Sequence, residues 1–201
     1  MNAGVPLPEP ALVEAAVANV RRNRMDPWGL HGLAHWWRVR HNGLLVAEAM
    51  GANARVVTLF AIFHDSHRED DGHDAEHGPR AAAWLARVRA DGAADHAAHG
   101  ACATTIDTLR ALADAEFGAL HAACELHTRA TYHDDPTVAA CFVADRLDLS
   151  RVGYRPDPRR MPAGSALLTP EFIDAAIARE RAGLAWHGSD EIHAVWGVHR
   201  T

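Results

Sequence analysis

Cysteine is scarce. Cys102, Cys124 and Cys141 are the only three in 201 residues, and no Cys-x-x-Cys occurs. An odd number of widely spaced cysteines argues against both a disulfide framework and a cysteine zinc site, and reduced thiols in a cytoplasm fit the pattern. Positive charge is also short. Twenty basic residues against 26 acidic ones leave a net charge of −6, which excludes broad nucleic-acid or membrane-surface binding but allows a local basic pocket. No stretch approaches the ~20 apolar residues of a membrane helix. The opening MNAGVPLPEPALVEAA lacks the basic region and apolar core of a signal peptide. A soluble, cytoplasmic protein is expected. Runs of β-branched residues are few and alanine is frequent, which favours helices over strands.

Histidine, by contrast, is abundant, with 15 residues, and apolar residues make up 48% of the chain. This length and apolar content predict one globular domain over residues 1–201 with a core that needs no staples. The first predicted helix starts at Pro10 and runs through ALVEAAVANVRRNRM, with Leu12, Val13, Ala16, Val17 and Val20 on one face. HGLAHWWRVRHNGLLVAEAM predicts a second helix ending at Gly51. Residues 54–65, ARVVTLFAIFHD, predict a third, apolar nearly all round and therefore central. A polar loop, REDDGHDAEHG, leads to a helix starting near Pro79. Further helices are predicted at about 95–113, 115–130, 136–149 and, after a proline-rich connection, from Pro170 to Gly183. The tail from Leu184 has no clear pattern. The fold class is all-α.

Residues 56–74 read VVTLFAIFHDSHREDDGHD and hold two His-Asp pairs; a third is His133-Asp134. His73-Asp74 and His133-Asp134 lie in strongly polar segments and read as solvated loops. His64-Asp65 closes a buried helix, where His and Asp are costly unless paired or bound to metal. A divalent ion needs several N and O ligands converging on one point. His35, with His31 one turn before it, is one candidate partner. Asp145 in CFVADRLDLSRVG is another, since an acid among Phe142, Val143, Leu147 and Leu149 is either a ligand or paired with Arg146 or Arg151. Asp148 reads as a structural pairing residue, supporting Asp145 or Arg151.

Together, His35 in HGLAHWWRV, His64-Asp65 in LFAIFHD and Asp145 in ADRLD resemble the HD superfamily of metal-dependent phosphohydrolases. The resemblance spans residues 31 to about 155, leaving 156–201 as a C-terminal extension. It implies a compact single-domain helical bundle with a central metal site. His35, His64, Asp65 and Asp145 would be ligands of one divalent ion (Mn, Mg, Fe, Zn, Ni or Co), and a second metal is possible. It also implies hydrolysis of a small-molecule phosphate ester, possibly a nucleotide, with Asp65 and His64 catalytic. Such an ion lowers the pKa of bound water and neutralises phosphate charge. His77, at a helix start that favours anions, and His127 are candidates to hold phosphate or a second ion. The adjacent His-His of the best-known two-metal branch is missing, so one ion is the expectation. Arg38, Arg68 and Arg146 are candidate phosphate contacts, with Arg68 foremost. Trp36, Trp37 and Trp84 read as core residues, one of them a candidate to stack on a base. Two other functions stay open. One is an HD-fold di-iron oxygenase acting on a small organic molecule, which requires His77 and His127 as ligands. The other is a non-catalytic metal-binding or sensing protein.

Overall fold

In the computed structural model, residues 8–91, 101–161, 167–183 and 195–196 are described. They form an all-helical bundle of eight α-helices: α1 (Pro10–Arg22), α2 (Leu33–Met50), α3 (Ala54–Phe63), α4 (His77–Asp91), α5 (Ala103–Arg110), α6 (Asp114–Leu126), α7 (Pro136–Arg146) and α8 (Pro170–Gly183). Short 3-10 turns at Leu149–Val152 and Pro158–Arg160 follow α7. No helix among the described residues is long and apolar enough to cross a membrane. The three cysteines are free.

Helix α3 is central, and Val56 through Phe63 are all buried, as its unbroken apolar pattern requires. It packs against α1, α2, α6 and α7, while α4 lies on α5 and α6 and α8 lies on α2. Asn53 fixes where α3 begins. Its side chain accepts from the Arg55 and Val56 amides and donates to Glu116 on α6, and its own amide donates to Thr137 on α7. One N-cap thus registers three helix starts. Asp135 caps α7 in the same way, accepting from Thr137 and Val138, with Pro136 at the first helical position. Gly43 lets α2 approach closely: a Cβ there would lie 2.5 Å from Val57 and 3.1 Å from Ala144. A side chain at position 43 would push α2, and His35 with it, away from α3 and α7.

Helix ends differ from the expected ones by a few residues, as fraying termini commonly do. Helix α3 stops at Phe63, so His64 caps it and Asp65 lies in the turn beyond. Helix α4 starts two residues before Pro79, at His77. Helix α7 stops at Arg146 rather than 149, which puts Asp148 in the link to the 3-10 turn. The helix expected over 95–113 is observed as Ala103–Arg110; residues 95–100 lie outside the described residues. Most of the tail also lies outside them, but Trp196 is buried, donates to the Leu33 carbonyl at 3.0 Å and meets Trp37 edge-on. Trp36 and Trp84 are core residues, as expected.

Candidate metal centre

Three chain segments deliver the first group of ligands. His35 comes from the first turn of α2, His64 from the residue after α3, and Asp145 from the last turn of α7. Their ligand atoms lie within 4.8 Å of one another, as do those of a second group, Asp65, His77 and His127. Either group of buried His and Asp can hold a metal ion.

The tautomers make the case stronger. A carbonyl oxygen only accepts, so a ring nitrogen bonded to one must carry the proton. His64 Nδ1 donates to the Phe60 carbonyl at 3.0 Å, and His127 Nδ1 donates to the Cys124 carbonyl at 2.7 Å. His77 Nδ1 donates to the Asp74 carbonyl, and His35 Nδ1 donates to Asp148 Oδ2 at 2.7 Å. All four rings therefore turn Nε2 inward, oriented by an outer partner as metal-ligating histidines are. His35 Nε2 and His64 Nε2 lie 3.1 Å apart, and His77 Nε2 and His127 Nε2 lie 2.9 Å apart. Lone pairs that close repel each other unless a cation or a proton lies between them.

Asp65 faces both groups. Its Oδ2 lies 3.4 Å from His35 Nε2 and 3.5 Å from His64 Nε2, while its Oδ1 lies 3.0 Å from His77 Nε2. Oδ2 is buried with no hydrogen-bond partner among the described residues, an arrangement that is costly for a carboxylate without a cation. Asp145 Oδ1 closes the first group at 3.5 Å from His35 and 3.8 Å from His64. Ligands held about 2.1 Å from one ion at tetrahedral or octahedral angles lie about 3.0–3.5 Å from each other, so these spacings, apart from His64–Asp145 at 3.8 Å, fit shared ions. The donor set of imidazole and carboxylate suits Zn, Mn or Fe. Asp145 is 17% exposed while His35, His64 and Asp65 are nearly inaccessible, so solvent reaches this centre on the Asp145 side.

Electrostatics follow from burial and from this crowding. Burial raises the carboxyls of Asp65 and Asp145, but the surrounding histidines outweigh it, with Arg151 adding to the effect on Asp145. Both acids are held well below the usual carboxylate range. Burial lowers His64 to about 3 and His127 to about 4. Burial and Arg151 also press His35 down, but the carboxylates of Asp145, Asp148 and Asp65 beside it win and raise it to about 9.

The remaining candidates divide. Arg68 lies at the second group, with Nη1 3.4 Å from Asp65 Oδ1 and 3.3 Å from His77 Nε2. Its other nitrogens donate to the Asp70 and Gly72 carbonyls, which folds the acidic loop around it. Arg38 is turned away from the ligands: Nε and Nη2 grip Asp148 at 2.6 and 2.9 Å. Asp148 is thus a pairing residue, but its partners are His35 and Arg38, and the more distant Arg151 comes third. Arg146 donates to the carbonyls of His127, Ala130, Thr131 and Arg160, so main-chain carbonyls engage both of its terminal nitrogens. His31 pairs with exposed Asp71 at 3.0 Å.

His73 is exposed, and His133 accepts from the Asp135 amide, so neither joins the centre. Their neighbours contribute indirectly, Asp74 by its carbonyl to His77 and Asp135 by capping α7. His77 and His127, candidates from the sequence for a phosphate or a second ion, meet here, and Gly78 is what lets them meet. A Cβ there would lie 2.5 Å from the Cys124 carbonyl and 3.0 Å from the His127 ring. Only a glycine after His77 lets α4 meet the end of α6 so closely.

No protein-family model matches the chain, and neither a curated protein nor a solved structure matches it.

Proposed function

We propose that this chain is a two-ion, HD-type phosphohydrolase that cleaves a small phosphate ester, possibly a nucleotide. The observation that carries this reading is Asp65. One buried carboxylate turns an oxygen to each of two ligand groups and has a guanidinium beside it. Bound ions would supply Lewis acidity and would lower the pKa of a water bound to them.

The residues of the chain do the rest. The outward Nδ1 bonds of His35, His64, His77 and His127 fix the inner nitrogens before any ion arrives, so little reorganisation is needed on binding. Asp65 stays ionised, spans both groups and is placed to orient the attacking water. His64, with its Nδ1 proton committed to the Phe60 carbonyl, serves as a ligand rather than as a proton carrier. Arg68 is a planar, permanently charged fork that suits a phosphate oxygen. Asp145 borders the solvent-accessible side, where a substrate enters.

A second reading draws on the same six residues. A di-iron oxygenase needs His77 and His127 beside the other four, and they are there. Arg68 against Asp65 favours the hydrolase. The test is a panel of phosphate esters and nucleotides assayed with Mn- and Fe-loaded protein. Turnover that disappears in Asp65→Asn and shows a raised KM in Arg68→Met supports the hydrolase. Absence of phosphate release, with oxygen uptake by the Fe-loaded protein, would assign the oxygenase instead.

A further inference from the structure

A cavity with a largely apolar lining lies outside the ligand groups, between α2 and α8. It has a volume of about 200 Å³ and is lined by Trp37, Arg38, His41, Arg179, Ala182 and Gly183. We propose that it binds a small carboxylate carried on a compact apolar body.

Two arginines are held ready for such a ligand. Arg38 is 2% exposed, and its Nε and Nη2 are locked on Asp148. That leaves Nη1, which is buried without an acceptor among the described residues. Arg179 repeats the arrangement: its Nε donates to Asn42 at 2.9 Å, and its Nη2 is buried without an acceptor. Each guanidinium is anchored on one side and unsatisfied on the other. A buried donor left unpaired is unfavourable, and a donor fixed in advance loses little freedom on binding.

The charge count selects the ligand. Asp148 neutralises Arg38. Burial and Arg179, with Arg40 adding, lower His41 and keep it uncharged near neutral pH. Arg179 therefore supplies one net positive charge, and no carboxylate lines the cavity among the described residues. One charge matches a carboxylate better than a phosphate dianion. The Trp37 ring, Ala182 and Gly183 give the cavity apolar walls, and its volume falls below the roughly 300–1,000 Å³ of drug-sized pockets. Space is tight at the arginine end, since a Cβ on Gly183 would lie 3.2 Å from Arg38 Nη1.

The proposal is independent of the phosphohydrolase reading and is tested without turnover. Benzoate and inorganic phosphate are titrated calorimetrically into the metal-loaded full chain. Wild type should bind benzoate at one site. Arg179→Gln, which removes the charged fork, and Gly183→Val, which fills the cavity, should each weaken that binding about tenfold or more. Arg68→Gln, at the ligand groups, should leave it unchanged, and unaltered circular dichroism should confirm that each variant folds. Inorganic phosphate binding should not respond to Arg179→Gln. Failure of benzoate to bind wild type, or a loss that follows Arg68→Gln rather than Arg179→Gln, would overturn the proposal.

Discussion

The two ligand groups that share Asp65 are built differently. The first hangs on helices packed tightly against one another: α2 and α7 close on α3 around Gly43, and His35 is backed by the buried Asp148–Arg38 pair. The second joins the start of α4 to the end of α6, and its histidines are backed only by main-chain carbonyls of Asp74 and Cys124. A permanent cation, Arg68, also leans on the second group. The first should therefore hold its ion more tightly, and the second should be the exchangeable one.

Asp65→Asn has the largest expected effect because it strikes both groups. Turnover should fall by about 10³-fold or more, the size of several kcal/mol of lost charge stabilisation. Steady-state rates against metal content check this, and a variant that keeps wild-type turnover would remove Asp65 from the centre. His127→Ala should separate the groups, with the second ion lost, the first retained and turnover reduced by about 10²-fold. Metal analysis after dialysis distinguishes that from loss of both ions. Asp148→Asn touches only the first group. Affinity there should weaken about 10–100-fold, and unfolding free energy should drop by about 3–5 kcal/mol because Arg38 stays buried without its partner. Equilibrium urea unfolding measures the second number.

The smallest effect is a pH dependence of the metal-free chain. Burial holds His31, His64, His67 and His127 at about 4, 3, 4 and 4, against an ordinary 6.5. The unfolded chain takes up those protons near pH 6.5 and the folded chain does not, so stability falls as pH drops from 6.5 towards 4. His35 works the other way. Its raised value of about 9 adds stability that is fully present below 6.5 and lost as pH rises through 9. With His41, also lowered by burial, five groups against one make the metal-free protein acid-sensitive before its carboxylates titrate. A melting temperature unchanged between pH 7 and 5 would contradict this.

How much of this was legible in the sequence follows the same division. His35, His64-Asp65 and Asp145 stand out because each interrupts apolar sequence, so a polar side chain there needs a reason. The helical fold was legible for the related reason that periodicity records burial. His77 and His127 carry no such mark. They lie 50 positions apart in polar or mixed segments, and only the close packing at Gly78 joins them. One ion was expected because the chain lacks an adjacent His-His pair, whereas the fold brings together a second group of ligands that could hold another. Arg38 and Arg146 looked available because sequence shows a guanidinium but not what it already grips. Asp148 takes Nε and Nη2 of Arg38, and main-chain carbonyls take both terminal nitrogens of Arg146.

Two ligand groups meet at one carboxylate, and metal stoichiometry tests most directly whether both hold ions. Purified full-length chain, loaded with Mn or Fe and dialysed, should carry two ions per chain, one for each group. His127→Ala should carry one. A wild type that binds a single ion or none, or a His127→Ala variant that keeps the wild-type number, would contradict it.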